Sequence, residues 1–210
     1  MKGLLLKDWY MIKQYCKIYL VIAVVFAVAS VMNANDENLF FVFYPCVLCG
    51  MIPVNLLGYD ERSRWDRYCG TLPYTKAQLV SAKYLVGLCI QIAMLLVTGA
   101  AQAVKMVMEG TFSFDDFIVL MLLLLAMATL SSSITLPFIF KLGIEKGRTA
   151  YYVTIGVVCG LCVIVSRLLK EFAWMEIRPN GFMVCLALAG ICIYALAWYL
   201  SIEFYKKREL

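Results

Sequence analysis

Two cysteine pairs, Cys46-x-x-Cys49 and Cys159-x-x-Cys162, have the spacing of redox or zinc-binding motifs. Both sit inside apolar runs, and the chain has no histidine to complete a ligand set, so they read as small apolar side chains on membrane helices. The missing histidine also removes the usual base of a serine nucleophile. Every Asp and Glu falls in a loop or at the end of an apolar run, which excludes an intramembrane aspartyl pair. No G-x-x-x-x-G-K-[ST] sequence is present to cradle a nucleotide phosphate. Ion channels and proton-coupled carriers place ionisable groups in their spans, and these spans are expected to hold essentially none. What remains is recognition. The stretch Asp60 to Lys76, DERSRWDRYCGTLPYTK, packs acids, arginines and aromatics into the densest charged segment of the chain. It has the composition of a surface gripped by another protein, since Trp, Tyr and Arg dominate interface hot spots.

The elements that would position this stretch follow from hydropathy. The 210 residues are 63% hydrophobic and 16% charged, with a net charge of +5, whereas a soluble domain is about 25% charged. The apolar runs are long enough to cross a bilayer, so the expected fold class is an all-α membrane protein with a single transmembrane domain and six spans, near residues 18–34, 39–58, 83–104, 117–140, 150–166 and 181–202. Residues 1–17 form an amphipathic pattern with Lys2, Lys7, Lys13, Gln14 and Lys17 on one side and Leu5, Trp9, Ile12, Cys16 and Tyr19 on the other, which suits an interfacial helix. The segment 167–179, RLLKEFAWMEIRP, mixes charge with large apolar residues and reads as a second interfacial segment.

Within the charged stretch, Asp60–Arg64 and Arg62–Asp66 are i, i+4 pairs that support a short helix over residues 60–69. Trp65, Tyr68 and Leu72 form its apolar stripe, and Gly70 and Pro73 stop it. Thr75-x-x-Gln78 is a capping box that starts the next helix, and Ser113, Asp115 and Asp116 suit the start of the one after. Pro137, following Ser131-Ser132-Ser133, predicts a bent or locally unwound second half of the fourth span.

Charge sets the topology. Fifteen of the 19 basic residues lie at the N-terminus, after the second span, in KLGIEKGR (141–148) and in the tail, and four (Lys105, Arg167, Lys170 and Arg178) lie on the other side. The positive-inside rule then puts both termini and the 60–76 stretch in the cytoplasm.

Three stretches resemble the small ABC-2 type permeases of Gram-positive bacteria. YDERSRWDRYCGTLPYTKAQLVSAKYL is similar to their coupling region, with its charged patch, Trp, T-L-P and S-x-K-Y. LPFIFKLGIEKGR matches the element L-P-x-x-F-K-x-G-x-E-K-x-R, and MKGLLLKDWYMIK resembles the N-terminal interfacial helix. The resemblance covers the whole chain. It implies an ABC-2, type V exporter-like fold in the bacterial plasma membrane, in which this chain is non-catalytic and pairs with a second permease copy or paralogue. ATP and Mg would belong to separately encoded ATPase subunits, and no cofactor or nucleic acid to this chain. The resemblance assigns ATPase coupling to Asp60, Glu61, Arg62, Ser63, Arg64, Trp65, Asp66, Arg67 and Tyr68. It assigns a second cytoplasmic contact to Lys141, Gly143, Glu145, Lys146 and Arg148, and an extracellular position to 167–179. Relatives export amphipathic peptide toxins or confer resistance to antimicrobial peptides, and the span composition predicts amphipathic peptide or lipid-like cargo. The alternative from the residues alone is a membrane scaffold without a transport role, in which the same charges only orient the protein.

Overall fold

The computed structural model describes residues 2–32, 39–69, 71, 73–143, 146, 149 and 179–207. Among them every regular element is a helix: α1 (Lys2–Tyr15), α2 (Lys17–Met32), α3 (Leu39–Gly50), α4 (Ile52–Arg62), α5 (Trp65–Cys69), α6 (Lys76–Met108), α7 (Phe114–Leu142) and α8 (Pro179–Lys207). Four helical stretches are long and apolar enough to cross a membrane: Phe41–Arg62, Lys76–Met108, Phe114–Leu142 and Val184–Lys207. The α1–α2 pair, bent by 69°, adds a fifth if it is one span. The all-α membrane fold expected from hydropathy is therefore present. The expected span at 150–166 and the segment 167–179 lie outside the described residues.

α1 packs inward through Leu4, Asp8 and Ile12, spaced one turn apart. Ile12 and Cys16 enter a core with Ala23, Cys49, Ile52, Leu56, Val86, Ile90 and Met94, against which Leu5, Met11, Tyr19 and Leu20 also pack. Two features of the expected amphipathic pattern change. Trp9 sits at the rim of the packed arc, and its indole is half exposed. Lys7 leaves the basic face and turns toward α4.

The second crossing stretch is broken at Met51, between α3 and α4. Pro53 lies in the first turn of α4, where its missing N–H leaves no helical bond unmade. Gly50 permits the close approach of α7 at this break, because a Cβ there would meet Ser131 Oγ at 3.0 Å. α6 starts at Lys76, where the Thr75-x-x-Gln78 capping box is expected to start it, ahead of the span expected from about residue 83. The Thr75 hydroxyl accepts from the Gln78 N–H and the Gln78 side chain accepts from the Thr75 N–H. Ser113 caps α7 through the Asp116 N–H. α7 then runs as a continuous helix to Leu142, so of the bent or locally unwound second half expected at Pro137 the unwinding is absent. The hydroxyls of Ser133 and Thr135 bond back to the carbonyls of Thr129 and Ser131 within the same helix, and Gly143 ends it at a φ of 82°.

Candidate functional site: a charged cleft at the basic end

α1, α4, α5, the start of α6 and the ends of α7 and α8 converge at one end of the bundle. They line a cleft of about 50 Å³ with Lys7 and Asp8, Asp60 and Glu61, Trp65, Lys83, Phe140, Gly143 and Tyr205. A cavity measured this way needs about 10–15 Å³ to hold one water, so the cleft has room for a few waters among these side chains.

Its floor is a closed ring of four charges. The Lys83 ammonium lies 2.6 Å from Asp8 Oδ1 and 2.6 Å from Asp60 Oδ2. Lys7 Nζ lies 2.6 Å from Asp60 Oδ1 and 3.5 Å from Asp8 Oδ1. Asp8 and Asp60 are only 2% and 4% exposed. Two lysines and two aspartates cancel, and each buried charge touches opposite partners, as a dry environment requires. Lys7 also sits 4.2 Å from the centroid of the Trp65 ring, a cation–π contact that ties α1 to α5. One ring therefore fastens α1, α4 and α6 together, with α5 laid across it.

An aromatic cluster lies behind the cleft and reaches it through Phe140 and Tyr205. Tyr84, one residue past Lys83, stacks on Trp198 with centroids 5.5 Å apart and meets Tyr194 edge-on at 5.3 Å. Its hydroxyl donates to the Ala197 carbonyl and lies 2.7 Å from the Ser201 hydroxyl. Tyr194 donates to the backbone carbonyl of Tyr84, and the Trp198 N–H donates to Ser81. These bonds fix the register of α6 on α8, and so the position of Lys83. Phe140 packs edge-on against Tyr205 at 5.7 Å and joins the end of α7 to the end of α8.

The residues singled out for partner coupling fall into distinct environments. Asp60 is not on an outward surface: it closes the charge ring, since two ammonium groups outcompete the expected helical partner Arg64. The expected single helix over 60–69 is split, because α4 ends at Arg62 and Arg64 adopts a left-handed φ of 54° before α5. That turn breaks the i, i+4 geometry the sequence suggested. Glu61, Arg62, Ser63 and Arg64 are exposed, with the Ser63 hydroxyl donating to the Asp60 carbonyl. Trp65 is half-buried beneath Lys7, and Tyr68, 59% exposed, lies 5.4 Å from it. Asp66 and Arg67 lie on α5 between them, their side chains outside the described residues. In the second motif Lys141 is exposed with its ammonium 5.2 Å from the Phe204 ring, Gly143 lines the cleft and Lys146 is exposed. Glu145 and Arg148 lie outside the described residues.

Sequence reasoning missed the roles of Lys7, Asp8 and Lys83. Lys7 entered as part of the basic face of the first helix and Lys83 as a topology charge within S-x-K-Y, and Lys83 belongs inside α6, so the crossing helices are not free of ionisable groups. The signals were present: Asp8 interrupts the apolar stripe Leu4–Ile12, and Lys83 follows Val80 on the buried side of α6.

Residues 3–206 match the family described as ABC-2 family transporter protein. No curated protein and no solved structure matches the chain. The match spans nearly the whole sequence, and the chain belongs to the ABC-2 transporter family as a multi-pass, permease-type membrane protein.

Proposed function

We propose that this ABC-2 permease is the membrane half of an exporter and that a separate ATPase docks on the turn and short helix from Glu61 to Tyr68, with Lys141 to Arg148 as a second contact. One observation carries the reading. The second crossing stretch ends in an exposed arginine-bearing turn and an aromatic α5, and that end is bolted to α1 and α6 through Asp60. A push on Glu61 to Tyr68 is then passed to three elements instead of being lost in a loose loop. The bias of basic residues toward this end supports a cytoplasmic placement, where ATP is available, and thus both termini inside. A second permease copy or paralogue completes the pathway.

The proposed cargo is amphipathic peptide or lipid-like. Among the described residues, the crossing helices bury uncharged polar groups. Gln91 donates to the Ala128 carbonyl and to Ser132, and Gln102 donates to Ser30. Lys83 is neutralised by its ring, and Lys105 lies in the last turn of α6 with Glu109 3.6 Å away. Such spans offer no fixed charge to a small ion.

The test is co-purification of the permease with candidate ABC ATPase subunits from the same cell, using the triple variant Arg62→Ala, Trp65→Ala, Arg67→Ala. The expected result is loss of the complex and of coupled ATPase activity, with thermal stability of the permease retained. Assembly and activity that survive all three changes overturn the docking assignment. Stimulation of the reconstituted complex by simple ions and not by amphipathic peptides or lipids overturns the cargo assignment.

A further inference from the structure

α1 has a second face that neither the charge ring nor the core uses. At 100° per residue, Trp9, Lys2, Lys13, Leu6 and Tyr10 follow one another around about 100° of α1, and Lys17, the first residue of α2, adds a third lysine just past its end. All six are exposed, with Leu6, Trp9 and Tyr10 at 56%, 50% and 62%. The acid of α1, Asp8, points the other way into the ring, so this face carries positive charge alone. Lys13 Nζ lies 5.7 Å from the Trp9 ring. The 69° bend at Cys16 turns α1 away from the axis of α2.

We propose that this face of α1 is a docking surface for the anionic phospholipid headgroups of the membrane. The chemistry on the face selects that occupant. Indole and phenol rings with an apolar body and a polar tip settle at the headgroup level, and Leu6 between them supplies apolar area to the acyl boundary. Lysines extend their ammonium groups from such a surface toward phosphate. Three lysines with no compensating acid gain from a leaflet of net negative charge and gain little from a zwitterionic one, by about fivefold in affinity per lysine. Because the opposite face of α1 is held by Asp8 and Lys7 to α6 and α4, a bound anionic leaflet also steadies those helices.

The experiment uses the full-length protein in neutral detergent micelles, without any ATPase, so its outcome is independent of the docking proposal. Phosphatidylglycerol, phosphatidylcholine or soluble glycerol phosphate is titrated in, and thermal stability and lipid adducts by native mass spectrometry are read. Phosphatidylglycerol is expected to raise the melting temperature and form adducts, and the other two to do neither. The triple variant Lys2→Gln, Lys13→Gln, Lys17→Gln is expected to match the native protein without lipid and to lose the phosphatidylglycerol response. In the native protein added salt should weaken that response, a readout that holds even if the variant expresses poorly. Equal stabilisation by phosphatidylcholine, a response to glycerol phosphate alone, a salt-insensitive response, or a triple variant that still responds fully overturns the proposal.

Discussion

Replacing Lys83 by methionine removes the ammonium that both buried aspartates share. Each contacts it at 2.6 Å, so the two contacting oxygens lie within about 5 Å of each other, and their repulsion at an effective dielectric of about 20 is about 3 kcal/mol. Lys7 remains, but it is 23% exposed in its side chain and touches Asp8 only at 3.5 Å, so it offsets part of the loss. Breaking a buried ion pair from one side costs about 3–5 kcal/mol, and the two estimates agree. For a chain of this size about 1 kcal/mol moves the midpoint by about 2–4 °C, so Lys83→Met is expected to lower the melting temperature in detergent by about 10 °C. The second variant makes the reasoning specific. Lys83→Met combined with Asp8→Asn leaves one neutral pair, Lys7–Asp60, and is expected to recover at least half of the loss. The assay is thermal unfolding of the purified protein, analysed as a double-mutant cycle. A Lys83→Met protein as stable as the native one, or a double variant no better than the single, refutes the closed ring.

Three further outcomes follow from contacts elsewhere. Tyr84→Phe strands the buried Ser201 hydroxyl and is expected to cost about 1–3 kcal/mol, most of it regained in Tyr84→Phe with Ser201→Ala, again read by thermal unfolding. Gly190 faces α7 so closely that a Cβ would lie 2.6 Å from Thr129 Oγ1. Gly190→Ala is therefore expected to destabilise by about 1–3 kcal/mol through overpacking, and Thr129→Ala, whose hydroxyl bonds only carbonyls of its own helix, is expected to relieve it. Thr75→Ala removes the capping box of α6 and is expected to cost about 1 kcal/mol, seen as faster hydrogen exchange at the Gln78 amide with the rest of α6 unchanged.

Local signals in the sequence resolved into local structure, and non-local ones did not. Among the described residues, apolar runs became helices and Thr75 with Gln78 and Ser113 with Asp116 became caps, but the single helix expected over 60–69 is split at Ser63 and Arg64. The pairing of Asp60 with Arg64 was a reasonable local reading, yet its true partners are Lys7, 53 positions away along the chain, and Lys83. No periodicity encodes that choice; it arises because α1 folds back across α4 and α6. The same cause explains Trp9 and Pro137. Trp9 fits the apolar stripe by angle, but the core is already filled by Ile12 and Cys16. Pro137 deletes one backbone donor, which a helix packed along α8 tolerates without unwinding.

The position of the ring along α6 accounts for its composition. α6 has 33 residues, so it is about 50 Å long, well beyond a hydrocarbon core of about 30 Å. Lys83 lies nine residues from the helix midpoint at residue 92, which is about 13 Å, close to the boundary between hydrocarbon and headgroups. A single lysine there could extend its ammonium outward to water. Lys83 instead points inward and is 6% exposed, which is favourable only because two carboxylates meet it. Those carboxylates come from two other helices, so the electrostatic requirement of one buried ammonium becomes a mechanical constraint on three elements. α4 cannot tilt at its exposed end without drawing Asp60 away from both lysines at once, and α1 cannot lift without exposing Asp8. A force on the Glu61–Tyr68 surface is therefore met by movement of the whole α1–α4–α6 assembly, to which α8 is held through the hydrogen-bonded α6–α8 aromatic stack.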